Sequence, residues 1–206
     1  IIGPAGHSIF TIRSSTYRRP TPEEYTAATV ITGSNGLDTL RGSAASDTIN
    51  AGAGNDTTFG GLSGDTINVG SGTDIINYTA ALDTSNTAVV SGTTVLTAAT
   101  GYDIVTGMGN GDQIVLAAAA GALTNGATVV QATVFTAGAN VSGLVSGSYN
   151  ASTGVFTAGA ASVTNNDYLY QASPGGATIS TVVLVDIVGT VTGTNSGTTT
   201  MTLTVA

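Results

Sequence analysis

The sequence predicts an all-β chain: a parallel β-roll running into a β-sandwich-like C-terminal cap. Three features carry that expectation. Aspartate recurs every nine residues, at Asp38, Asp47, Asp56, Asp65, Asp74 and Asp83, with no other Asp or Glu between the first and the last, which marks an internal repeat. The first five of these follow a glycine-containing stretch and precede a minimal strand such as Thr66-Ile67-Asn68. The composition is dominated by Gly, Ala, Ser, Thr and Val, with only 8% charged residues and a positive mean hydropathy of +0.31. Disordered chains combine low hydropathy with high charge, so this composition points to packed β-structure.

Residues 1–30 stand apart. They hold both glutamates, His7, three of the four prolines and three of the four arginines (Arg13, Arg18 and Arg19). A strand is expected near Ser8–Arg13 and a lead-in strand at Ala28–Thr32, separated by a turn at Pro20 and Pro22, which no regular element accommodates. The segment reads as an extended arm or linker. It either joins an upstream domain or docks on a neighbouring subunit by adding a strand to an open sheet edge.

Residues 31–116 are the expected roll. In the nine-residue frame the units are GSNGLDTLR (33–41), GSAASDTIN (42–50), AGAGNDTTF (51–59), GGLSGDTIN (60–68) and VGSGTDIIN (69–77). Glycine permits the positive φ angles of a sharp turn. The central residue of each three-residue strand points to the face opposite its neighbours. Leu40, Ile49, Ile67 and Ile76 should therefore fill the interior, with Thr58 a weak point in the same row. Two units make one coil, so residues 18 apart stack. Asp38, Asp56 and Asp74 would line one edge, and Asp47, Asp65 and Asp83 the other. Two units depart from the pattern two positions before their Asp, with Ala45 and Ser63 in place of glycine, which predicts weaker sites there. Regular Asp could instead punctuate strands as Asx-turns, but such turns have no reason to recur at nine with an apolar residue two positions on. Residues 84–97 interrupt the spacing, which returns with Asp103 and Asp112.

These units resemble the RTX nonapeptide, G-G-x-G-x-D-x-U-x with U a large apolar residue. Tyr102-Asp103-Ile104-Val105 and Gly111-Asp112-Gln113-Ile114-Val115-Leu116 resemble the last roll segment of serralysin-type RTX proteins, with Met108 near where that family has an aromatic. The resemblance implies calcium as the cofactor. The physics agrees: stacked carboxylates repel unless a cation sits between them, and calcium takes 6–8 oxygens from carboxylates and carbonyls alike. The candidate ligands are the carboxylates of Asp38, Asp47, Asp56, Asp65, Asp74, Asp83, Asp103 and Asp112. Turn carbonyls of Gly33, Asn35, Ala51, Ala53, Gly60, Leu62, Val69 and Ser71 would complete the shells. Without the ion, like charges and glycine entropy oppose folding, so folding should depend on calcium.

Residues 117–206 read as a β-rich cap. AAAAGAL (117–123) could form one helical turn. Strands are expected at 128–136, 145–150, 154–157, 167–171, 179–188 and 198–205, with a hairpin signal in Asn150-Ala151-Ser152-Thr153-Gly154. The cap resembles C-terminal domains of RTX surface-layer and related exoproteins. That likeness implies type I secretion through an uncleaved C-terminal signal, and folding outside the cell.

Composition narrows the function. The chain has no cysteine and no lysine, and its net charge is −8. No basic patch follows the first segment, which argues against nucleic acid as a partner. No apolar run of about 20 residues predicts a membrane span. His7 is the only histidine, no H-E-x-x-H zinc motif and no G-x-S-x-G elbow occur, and most aspartates belong to the repeat register. The chain is therefore expected not to be an enzyme. The favoured reading is an extracellular calcium-binding structural protein of a surface layer, sheath or filament, self-associating into arrays or fibres, with residues 1–30 as a candidate contact. The alternative is the calcium-binding secretion module of a larger exoenzyme or adhesin. An ice- or carbohydrate-binding solenoid would need a regular threonine face, and the row Thr39, Thr48, Thr57 and Thr66 ends at Ile75.

Overall fold

The computed structural model describes residues 8–11, 27–78, 85–88, 95–97, 103–117, 130–132, 141–160, 167–173, 178–184, 191–195 and 200–206. All the regular structure among them is strand. In chain order the strands are β1 Ser8–Thr11, β2 Thr29–Thr32, β3 Thr39–Arg41, β4 Thr48–Asn50, β5 Thr57–Phe59, β6 Thr66–Asn68, β7 Ile75–Tyr78, β8 Ser85–Ala88 and β9 Val95–Thr97. Then follow β10 Asp103–Thr106, β11 Gln113–Ala117, β12 Val130–Ala132, β13 Val141–Asn150, β14 Val155–Ala158, β15 Asp167–Ser173, β16 Thr178–Leu184, β17 Val191–Asn195 and β18 Thr200–Val205.

Successive strands of the roll alternate between two parallel sheets. β2, β4, β6 and β10 are neighbours in one, and β3, β5, β7 and β11 in the other. Alternation follows from the repeat: a three-residue strand is too short to reverse and pair locally, so each glycine turn hands the chain to the opposite sheet. The 18-residue register is strict, with Ile31, Ile49 and Ile67 in one row and Leu40, Thr58 and Ile76 in the other. Both rows face inward into a single buried cluster that includes Ile31, Leu40, Ile49, Ile67, Ile76, Val105 and Ile114. Burying each such side chain stabilises the fold by about 1.5–3 kcal/mol. Thr58 is fully buried in this row and its Oγ1 has no hydrogen-bond partner among the described residues.

The register then jumps by 20 residues. β10 pairs with β6 through Val105↔Ile67, and β11 with β7 through Ile114↔Ile76, so the separation within each pair is 38 rather than 18. The intervening segment leaves the roll: β8 pairs antiparallel with β16, and β9 with β14. The stack of Asp47 and Asp65 is thus continued by Asp103 of β10, in the place where Asp83 was expected. Asp83 itself lies outside the described residues, as do His7, Asp186 and residues 118–123 of the expected helical turn.

At its first coil the roll is extended by β1, which pairs in parallel with β2 (Ser8↔Thr29). The described part of the N-terminal arm thus adds its strand to its own chain. At the other end, β16 pairs in parallel with β10, and β18 pairs antiparallel with β11. The cap strands therefore continue the two sheets of the roll: β16, β15, β13 and β14 extend one, β18 and β17 the other. Of these, β17 was not expected from the sequence. Among the described residues no helix is long and apolar enough to cross a membrane.

Candidate metal centre

The described aspartates of the repeat sit at the junction where a turn enters its strand, and two kinds of hydrogen bond tie successive coils together there. On one edge, the amide of Asp38 donates to Asp56 Oδ1 (2.8 Å), that of Asp56 to Asp74 Oδ1 (2.7 Å) and that of Asp74 to Asp112 Oδ1 (2.8 Å). On the other edge, Thr29 donates to Asp47 Oδ1 (2.7 Å), Asp47 to Asp65 Oδ1 and Asp65 to Asp103 Oδ1 (both 2.8 Å). The backbone carbonyls of Asp38, Asp47, Asp56, Asp65 and Asp74 accept from the residue after the Asp stacked on them, as Thr57 N–H to Asp38 O (2.9 Å) and Ile104 N–H to Asp65 O (2.7 Å). One carboxylate oxygen is thereby spent on the ladder and the second is left to face the turns.

The ladder buries its charges. Asp38, Asp47, Asp56, Asp65, Asp74, Asp103 and Asp112 are all at most 3% exposed. Buried carboxylates need a donor or a cation. Oδ2 of Asp56 and of Asp74 has neither among the described residues. Burial pushes the Asp74 carboxyl up to about 6, against the pull of the Asp56 amide, with the neighbouring Asp112 and Asp56 charges adding to the rise. Asp56 is raised in the same way, by burial first, with the Asp38 amide opposing and the Asp38 charge adding.

At Asp38 and Asp47 the stacked turns bring carbonyl oxygens beside the carboxylate. A methyl group built on Gly42 would lie 1.8 Å from Gly60 O and 2.8 Å from Asp47 Oδ2; one on Gly33 would lie 2.0 Å from Ala51 O and 3.1 Å from Asp38 Oδ2. Only glycine leaves that space open. Among the expected carbonyl ligands, Ala51 and Gly60 thus face a stacked turn and its carboxylate. The Ser71 carbonyl accepts from Gly54 N–H (2.9 Å) and Ala53 N–H is bonded to Ser34 O (3.1 Å), so both residues are part of turn-to-turn stacking. Leu62 N–H is bonded in the same way to Ser43 O (2.9 Å), while Gly33 and Val69 donate to the strand-end carbonyls of Asn50 (2.8 Å) and Thr106 (3.1 Å).

Among the described residues no three His, Cys, Asp or Glu side chains converge. Carboxylates are stacked in pairs along each edge, and at Asp38 and Asp47 carbonyls lie beside them. That donor set is all oxygen and carries little charge per site, which suits a large hard cation and not zinc. Buried carboxylate oxygens without a partner among the described residues at Asp56 and Asp74, in a ladder whose stacked turns place carbonyls beside the neighbouring carboxylates of Asp38 and Asp47, fit calcium. Asp56 and Asp74 would hold it together with turn carbonyls, and the ion would supply the positive charge that the protein's own side chains lack there.

Two residues that matter were not singled out from the sequence. Ser34 donates its N–H (2.6 Å) and its hydroxyl (2.8 Å) to Asp38 Oδ2, and Ser43 donates its N–H (2.5 Å) to Asp47 Oδ2. The available signal was serine four residues before Asp, at the second position of the first two units, where the later units have Gly52, Gly61 and Gly70. The expected discriminator was the fourth position, yet Ser63 adopts φ +76° and leaves the turn conformation intact.

Comparison with known families matches residues 32–67 to the RTX calcium-binding nonapeptide repeat (4 copies). These residues run from the end of β2 to the middle of β6, the stretch that builds the first two coils. No curated protein matches the chain.

Proposed function

Because the chain is an RTX-repeat protein whose nonapeptides bind calcium, we propose that it is an extracellular structural protein in which calcium stiffens the roll for use in a surface layer, sheath or filament. The observation that carries this reading is the continuous ladder of buried aspartates with open oxygens at Asp56 and Asp74. Such a ladder is loose when its charges are bare and rigid when they are bridged. Rigid, uniform rods are what an ordered array needs. In this reading the chain carries no catalytic centre, it is exported by type I secretion, and it folds where calcium is plentiful. Self-association would join copies, with residues 1–30 as one contact.

The test is electron microscopy of the intact secreted polypeptide at fixed concentration, with calcium and with chelator. Arrays or fibres that form only with calcium support the proposal. Calcium-loaded protein that stays monomeric at every concentration contradicts it.

A second reading is the calcium-binding secretion module of a larger exoenzyme or adhesin. It is favoured by the way β16 and β18 cover both sheets at the last coil, so that the roll and its cap form one unit. Mass spectrometry of the secreted protein separates the two: a much longer mature chain with an enzyme or adhesive domain upstream supports this one.

A further inference from the structure

The turns of the roll fall into two conformational kinds. In units 51–59, 60–68 and 69–77 the second and fourth residues have positive φ: Gly52 (+108°) and Gly54 (+125°), Gly61 (+111°) and Ser63 (+76°), Gly70 (+88°) and Gly72 (+143°). In units 33–41 and 42–50 neither position does, even though Gly36 could. Serine at the second position goes with this second kind. Its amide turns inward and closes on the carboxylate, at Asp38 and at Asp47. Where the second residue is glycine in the left-handed region, the carboxylates of Asp56 and Asp74 keep Oδ2 open. At the far end of the same edge, Asp112 Oδ2 is closed again, by the amide of Gly109 (2.8 Å). The edge therefore runs closed, open, open, closed.

We propose that the roll carries internal amide caps, formed by Ser34 and Gly109 at the two ends of the Asp38–Asp112 edge and by Ser43 at the start of the other, that take the place of calcium there and confine tight ion binding to the glycine-opened turns 51–56 and 69–74. The physical ground is competition for one oxygen. A carboxylate oxygen that already accepts one or two donors gains less from a cation than a buried oxygen that accepts none. Asp38 and Asp112 stand at the two ends of their edge, each with a stacked aspartate on one side only among the described residues. Closing them with the chain's own amides lets the roll keep its ends without metal, while calcium controls the middle. This rests on the calcium reading of the repeat, and the experiment separates the two.

The full chain is purified in chelator and titrated with calcium chloride by calorimetry, and bound calcium is counted by elemental analysis after gel filtration. Asp74→Asn and Asp38→Asn are compared; both substitutions keep an acceptor for the amide of the preceding coil or turn. Asp74→Asn is expected to lose bound calcium or to weaken its binding at least tenfold, and Asp38→Asn to change binding less than twofold with no change in count. The paired variant Ser34→Gly with Ser43→Gly, which opens both turns, is expected to bind at least one more calcium than the parent. Equal responses from the two Asn variants, or an unchanged count in the glycine variant, overturn the proposal. If Asp74→Asn fails to fold, the glycine variant decides alone. A parent chain that binds no calcium sinks the underlying reading instead.

Discussion

At the scale of the residue, the ladder is defined by which oxygen of each carboxylate is occupied. Oδ1 is committed to the neighbouring coil, and the state of Oδ2 sets each residue's chemistry. Asp74 is the clearest case, with its carboxyl raised to about 6 by burial, against about 3.9 in an unfolded chain. Because the folded pKa lies above the unfolded one, the calcium-free folded state binds the proton more tightly. The resulting stabilisation is fully present below about pH 4 and is lost as pH rises through about 6. Calcium-free protein should therefore melt at a higher temperature at pH 5 than at pH 7, and calcium binding should weaken as pH falls below 6, because the ion must displace the proton. Melting curves at the two pH values, with and without calcium, check both statements. Thr58 offers a separate test. Its buried hydroxyl has no partner among the described residues, and an unmade buried hydrogen bond costs about 1–3 kcal/mol. Thr58→Val keeps the shape and should raise stability by about 1 kcal/mol in calcium, read by urea denaturation. The carboxylates and the inward residues were legible because each has a fixed place in a nine-residue frame. The serine caps were not, since a serine four residues before an aspartate closes on it only if the intervening backbone stays out of the left-handed region, and the sequence does not state which way that turn goes.

At the scale of the element, the turn is the unit that sequence specifies most tightly. Its glycines are needed where stacked turns touch. At Gly70 a methyl group would lie 1.9 Å from Gly52 O at φ +88°; at Gly36 its nearest neighbour would be Ser34 Oγ, 3.8 Å away. Gly70→Ala should cost upwards of about 2 kcal/mol, through a forbidden backbone angle and a backbone clash together. Gly36→Ala should change stability by no more than about 0.5–1 kcal/mol. Chemical denaturation of both variants in saturating calcium checks the contrast. The roll strands were legible one by one, because period-2 alternation between turns leaves a three-residue strand little choice. Strands of the cap were legible in outline: those at 145–150, 154–157, 167–171 and 198–205 overlap β13, β14, β15 and β18. Partnering was not legible. Nothing in Ser85–Ala88 or Val95–Thr97 announces that these short strands leave the roll to pair with β16 and β14. That choice depends on which edges the distant cap strands leave open.

At the scale of the whole molecule, two sheets run through roll and cap, and the aspartate ladder ties the coils of the roll along both edges. The excursion after β7 explains why Asp103 and Asp112 continue the stacks begun at Asp47 and Asp38: β8 and β9 pair with cap strands and the chain returns in register. Mass action sets the size of the calcium effect. Each site filled at about 100 times its dissociation constant adds about 2.7 kcal/mol, and about 1 kcal/mol moves the melting temperature of a domain this size by roughly 2–4 °C. Two such sites should raise it by about 10 °C or more, and chelator should reverse the gain; differential scanning calorimetry reads this directly. The most direct test of calcium bridging is anomalous X-ray scattering from crystals of the calcium-saturated chain. Anomalous peaks beside Oδ2 of Asp56 and Asp74, lying between successive coils, are the predicted result. A well-ordered ladder with no anomalous peak at either carboxylate would contradict it.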